Sequence, residues 1–230
     1  MKLNEKIEAV KLRKEGASYS DIVKKINVPK STLSTWLRDI ELTPQQKEKL
    51  LKGREKSRYA GAKAQQKKRI EKTKKIINES KKEFPLLVKN HLFLSGLVLY
   101  WAEGDKNQLE RVKFTNSDEA TIIIMMKWFR EICNVPESKF RIALRIHNLH
   151  SRSNIKNYWS KITKVPKKQF YKIYIKQSSL RQRKNILYNG TCAIVINSTD
   201  LFRKIMGWRL GLLEYFNIPP RSSTDRTRDF

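Results

Sequence analysis

The chain of 230 residues is 39% hydrophobic and carries 50 Lys and Arg against 22 Asp and Glu, a formal charge of +28 with a pI near 10.2. That apolar share is enough for one ordinary core and one small one, which excludes an intrinsically disordered chain. No apolar run approaches the ~20 residues of a membrane span, and no signal peptide or lipidation motif is present, so a membrane is not an expected partner. A surface this cationic is drawn to polyanions, and double-stranded DNA is the expected partner. Cys133 and Cys192 form no CxxC, and His91, His147 and His150 fall in no metal-ligand spacing. Neither a disulfide framework nor a zinc site is indicated, which fits a reducing, cytoplasmic location.

Residues 4–42 read as three short helices: Glu5–Glu15 ended by Gly16, Tyr19–Ile26 capped by Ser18 or Ser20, and Pro29–Arg38. Ile22, Val23 and Ile26, then Leu33, Trp36 and Leu37, recur at i, i+3 or i+4 and turn inward, with Val28 closing the corner. Asn27 is expected in a left-handed turn, and Pro29 starts the next helix without wasting a donor. The outward residues of the third helix are Lys30, Ser31, Ser34, Thr35 and Arg38, all able to bond phosphates or base edges from a major groove. The stretch EGASYSDIVKKINVPKSTLSTWLRD resembles the helix-turn-helix of resolvases and transposases, which implies a DNA-binding domain over residues 1–42.

Residues 44–84 hold fifteen Lys or Arg and five Glu and few core-forming side chains. They read as a long, solvated, basic linker helix (43–84) with possible breaks at Gly53 or Gly61, able to track phosphates. Next comes a strongly apolar, uncharged run, LFLSGLVLYWA, closed by Glu103, Gly104 and Asp105. Apolar residues on every side of its projection predict a helix covered all round, with small-residue stripes at Ser95/Ala102 and at Gly96/Tyr100/Gly104 where a second copy of the helix could approach. Glu103 at the negative end of the helix dipole invites a functional role.

Beyond it, Arg111–Thr115 alternates as a strand, and a helix capped by Ser117 or Asp118 runs to about Cys133 with Ile122, Met125, Met126 and Phe129 inward. Phe140–His147 is a strand with Arg141, Arg145 and His147 on its outer face. Asn154–Thr163 is a helix, and Gln169–Lys176 a strand with Tyr171, Ile173 and Ile175 inward and Lys172, Tyr174 and Lys176 outward. Arg181 and Arg183 lie in a basic loop, Thr191–Asn197 is a fourth strand, Thr199–Phe216 a last helix, and 218–230 a disordered tail. The fold class expected is α/β: a three-helix helix-turn-helix, a basic linker helix, and a mixed α/β domain over 85–217.

GLVLYWAEG (Gly96–Gly104), followed by a short strand and Asn116–Ser117–Asp118, resembles the single-motif branch of the LAGLIDADG homing-endonuclease superfamily, with Glu103 for the usual last Asp and Trp101 in place of the first. The resemblance implies a homodimer through Leu92–Glu103, with Glu103 and Asp105 as ligands of Mg²⁺ and catalytic groups. Lys113 or Lys106 would then stabilise charge on the phosphate. It also implies that Arg141, Arg145, Lys172, Tyr174 and Lys176 read DNA from a sheet face. Three functions follow: a DNA-binding regulator related to these enzymes, which is the preferred reading; an active Mg²⁺-dependent endonuclease making strand breaks; and, least supported, an RNA maturase.

Overall fold

The computed structural model describes residues 3–105, 111–147, 152–176 and 189–219, with only the backbone described at His147, Arg152, Ser153 and Lys176. Arg181, Arg183, Lys106, His150 and most of the tail lie outside the described residues. The backbone gathers into two units, Met1–Arg69 and Ile70–Phe230. Together the described residues form eight helices and one four-stranded sheet.

The first unit begins with α1 (Leu3–Lys14), α2 (Tyr19–Lys25) and α3 (Lys30–Trp36). Gly16 ends α1 with φ +88°, while its N–H donates to Arg13 O and that of Ala17 to Leu12 O. This is the paired bonding by which a left-handed residue satisfies the last carbonyls of a helix. Ser18, not Ser20, caps α2: its Oγ accepts from Asp21 N at 3.2 Å and donates to the Asp21 carboxylate at 2.6 Å. Asn27 does not take the left-handed conformation expected of it, since positive φ among non-glycine residues occurs at Asn134, Lys164 and Asn217 instead. The corner closes differently: Ile26 leaves α2 in extended geometry and Val28 N–H donates back to Ile26 O at 2.7 Å, a three-residue turn that any residue can centre. Ala9, Ile22, Ile26, Val28, Leu33 and Leu37 form the core, with Val23 and Trp36 half-buried against it.

α4 runs unbroken from Pro44 to Leu87, without a break at Gly53 or Gly61. Its start is a reciprocal cap: Gln46 N donates to Thr43 Oγ1 and Thr43 N to Gln46 Oε1. The Gln46 amide also donates to Lys14 O at 2.9 Å, tying α4 to the end of α1. Residues 51–69 are exposed throughout. The stretch read as a linker changes character at about residue 70, because Thr73, Ile77, Ser80 and Phe84 are buried in the second unit.

That unit adds α5 (His91–Glu103), β1 (Val112–Asn116), α6 (Glu119–Glu131), β2 (Phe140–His147), α7 (Arg152–Thr163), β3 (Tyr174–Lys176), β4 (Thr191–Ile196) and α8 (Thr199–Tyr215). The sheet order is β1-β4-β2-β3, with β4 antiparallel to both neighbours and β3 parallel to β2. The strand expected over Gln169–Lys176 is only three residues long, preceded by a 3-10 turn at Lys167–Gln169. Tyr171, expected inward, is 42% exposed. The helix α7 explains the direction of β3, since parallel neighbours need a crossover connection and α7 supplies it. The remaining strands keep the expected parity: Val112, Phe114, Phe140, Ile142, Leu144, Ile146, Cys192, Ile194 and Ile196 share one core with the helices.

α5 is not covered all round. Phe93, Gly96, Leu97 and Tyr100 are buried, whereas Ser95, Val98, Ala102 and Glu103 are exposed. Gly96 lies flat against Trp128 of α6, where an added Cβ would stand 2.1 Å from the indole. Of the two stripes proposed for a second helix, this one is therefore taken by the chain's own tryptophan. Gly207 and Gly211 do the same for α8: a Cβ at either would meet Ile77, Ser80 or Phe84 of α4 at under 3.0 Å. Ion pairs Lys72–Asp200, Lys81–Glu214 and Lys204–Glu83 flank that contact. No described helix is long and apolar enough to cross a membrane.

Candidate nucleic-acid interface

The helix α3 is anchored by Leu33 and Leu37, both at or near zero exposure, and every residue predicted to face outward from it is exposed: Lys30, Ser31, Ser34, Thr35 and Arg38. The short helix and its exit thus present two cations and three hydroxyls on one side. Lys30 Nζ lies 3.4 Å from Ser20 Oγ and Thr35 Oγ1 donates to Ser31 O, contacts in solvent that DNA can displace. Such a face combines point charges for phosphates with short donors and acceptors for base edges.

Residues 2–53 match the family model of the CENP-B N-terminal DNA-binding domain. No curated protein and no solved structure matches the chain. The matched span takes in all three helices and the capped start of α4, so the first unit carries a helix-turn-helix DNA-binding domain and DNA is a partner of this protein. The finer likeness to resolvases and the LAGLIDADG resemblance of the second unit gain nothing from these matches.

In the second unit register sets which side chains share the sheet face opposite the core, on which Val195 and Ala193 of the central strand are buried among their neighbours. Lys113, Val195 and Arg141 form one row, Thr115, Ala193 and Ala143 the next, and Thr191, Arg145 and Tyr174 the third. Arg145 is exposed and its guanidinium lies 5.9 Å from the ring centroid of Tyr174, itself 61% exposed. Arg141 is half-buried, its Nη1 donating to Ser138 O and Phe140 O at 2.7 Å. Lys172 is exposed but precedes the strand, and the Lys176 backbone ends it.

Glu103 and Asp105, the expected metal ligands, lie at the end of α5 and just past it. Glu103 is exposed at the last turn of α5, while Asp105 pairs with Lys113 at 3.6 Å and its N–H donates to Lys113 O. Among the described residues no group of three or more His, Cys, Asp or Glu is placed to hold a metal ion. Lys113, expected to act on a phosphate at that site, pairs with Asp105 and stands at the edge of the cationic row on the sheet. Tyr100, whose hydroxyl approaches Asp105 O at 3.4 Å, is pushed well above the ordinary phenol range by burial, so it stays protonated. Burial likewise pushes the Cys133 and Cys192 thiols far up.

Gln46, which ties α4 to the helix-turn-helix, was not foreseen from sequence. Its signal was present in Thr43-x-x-Gln46, the spacing of a capping box.

Proposed function

We propose that this protein is a sequence-specific regulator that reads double-stranded DNA with α3 and holds it non-specifically with a second cationic surface, the outward face of the sheet. The observation that carries the reading is the wholly exposed face Lys30, Ser31, Ser34, Thr35 and Arg38 within the matched DNA-binding domain. Homing-endonuclease descent belongs to the proposal through Ala102–Glu103–Gly104 at the end of α5, from which Gly104 bridges to Phe114 of β1. The Asp105–Lys113 pair favours the regulator over a cleaving enzyme, because a carboxylate neutralised by its own lysine is a poorer metal ligand.

The test is selection of a preferred duplex by the full chain, followed by Lys30→Ala, Ser34→Ala and Arg38→Ala in one variant. Discrimination between selected and scrambled duplexes should fall by at least 10-fold while non-specific affinity falls less, since each good base contact carries about 1–3 kcal/mol. Equal weakening on all sequences would remove α3 as the reader. The homodimer enters only through the exposed Ser95–Val98–Ala102 side of α5. Val98→Arg should then convert a sedimenting dimer to a monomer without lowering its melting temperature. A wild type that sediments as a monomer on and off DNA removes that part of the proposal.

A further inference from the structure

The exposed stretch of α4 has four distinct sides. Between residues 44 and 69 it carries ten Lys or Arg and two Glu, and at 3.6 residues per turn these do not scatter. Gly53, Ser57, Ala60 and Ala64, spaced four, three and four apart, fall in one line, with Gly61 beside it. Lys49, Lys52, Lys56, Lys63 and Lys67 run along one flank of that line, Lys47, Arg54, Arg58 and Arg69 along the other, and Lys68 closes the line one turn past Ala64. Glu48, Glu55 and Ala62, seven apart, lie on the opposite side. The small line continues the side on which Gln46 reaches Lys14, so it looks toward the same side of α4 as the helix-turn-helix bundle.

Two glycines in an exposed helix weaken it relative to alanine, and here nothing packs against them: around both Gly53 and Gly61 the space is open to 4 Å. A furrow of missing side chains between two rows of cations lets an anionic backbone come close to the helix while both rows reach its phosphates. A second copy of the helix is the wrong occupant, because it would set like-charged rows against each other. We propose that residues 49–69 of α4 are a DNA-docking helix that seats the phosphate backbone of a duplex along the Gly53–Ser57–Ala60–Ala64 line. This rests on DNA being the partner but not on α3 being the reader.

One chemical change made on two faces tests it. In the full chain, Ala64→Leu fills the furrow, and Ala62→Leu places the same side chain in line with the two acids. Both keep a strong helix former at an exposed site, and circular dichroism checks that helicity is unchanged. Binding is measured on a random-sequence duplex longer than the ~30 Å segment, where sequence reading plays no part. Ala64→Leu should weaken affinity by about fivefold or more and Ala62→Leu by less than about twofold, while replacing Lys52, Lys56 and Lys63 together by Gln should lower the slope of log affinity against log salt by about 2–3. If the two leucines act alike, or the salt slope does not move, α4 does not dock DNA in this way. Failure here leaves discrimination by α3 untouched, and loss of that discrimination leaves this result untouched.

Discussion

Replacing Gly96 with alanine adds one methyl group to α5 and should unfold the second unit at a lower temperature. The new Cβ would lie 2.1 Å from Cδ1 and Cγ of Trp128 and 2.6 Å from Cδ2, where carbon contacts settle near ~3.5–4 Å. The ring or the helix must therefore move by more than about 1 Å. Trp128 has no room to do so: it is fully buried, its Nε1 donates to Phe93 O at 3.2 Å, and it packs on Phe129 at 5.0 Å and on Tyr100 and Trp208 at 6.2 Å between ring centroids. Overpacking of this kind costs about 1–3 kcal/mol, and losing the indole bond adds about 1. Higher helix propensity returns about 1. The net loss is roughly 1–3 kcal/mol, a fall in melting temperature on the order of 5 °C for a unit of this size. Trp101, Trp128, Trp159 and Trp208 all lie in this unit, so intrinsic fluorescence follows it directly. Gly53→Ala is the matched control, with nothing within 4 Å of the new methyl, and should raise the helicity of α4 instead. If Gly96→Ala melts at or above the wild-type temperature, α5 does not pack on Trp128 as described.

Gln46→Ala removes the reciprocal cap and the bond to Lys14 O together; amide exchange at the start of α4 should accelerate, with a loss of about 1–2 kcal/mol in the first unit. The Asp118 carboxyl is held below its ordinary range by hydrogen bonds from the Thr121 hydroxyl and from the N–H groups of Thr121 and Ala120, and Glu137 by its bond from Arg130. Groups depressed in the folded state stabilise it fully above their unfolded pKa of ~4 and lose that contribution as pH falls through the folded value. Acid melts of the second unit should therefore steepen below about pH 4, and Asp118→Asn with Glu137→Gln should flatten them; an unchanged profile would discard both assignments. Mg²⁺ should neither raise the melting temperature nor cause nicking of supercoiled plasmid by the bound protein, and Glu103→Gln should change neither. Mg²⁺-dependent cleavage lost in Glu103→Gln would restore the endonuclease reading.

The parts legible in the sequence were those where one periodicity ruled. The core residues Ile22, Leu33 and Leu37 follow from helical spacing, and Phe140 to Ile146 from strict alternation, because each face meets only one environment. The reading broke where side chains from distant segments decide the outcome. α5 looks apolar on all sides, yet burial depends on Trp128 and α8 reaching only part of its surface. Gln169–Lys176 alternates like a strand, yet after the crossover through α7 it meets β2 at a single bridge, Phe170 to Ile142, and only its last three residues form a strand. In the candidate site, the outward residues of α3 followed from the same periodicity as its core. The pairing of Lys113 with Asp105 did not, since it depends on how the chain after α5 meets β1, which no local pattern encodes.

The place of β4 sets an order of events during synthesis. It is the last strand to emerge from the ribosome, yet it lies between β1 and β2 and supplies the hydrogen bonds of both. Until residues 191–196 are free, β1 has no partner strand and the apolar sides of β1 and β2 have no shared sheet to cover. All the helix-turn-helix contacts, by comparison, are made by about residue 46. A nascent chain therefore passes through a stage with a finished, cationic DNA-binding head and open strand edges behind it, the kind of intermediate that pairs with other chains. A ribosome stalled before Thr191 should yield aggregates or chaperone-bound chains. Once β4 and α8 have both cleared the ribosome, β4 inserts and α8 closes over it, so the second unit becomes protease-resistant in one late step.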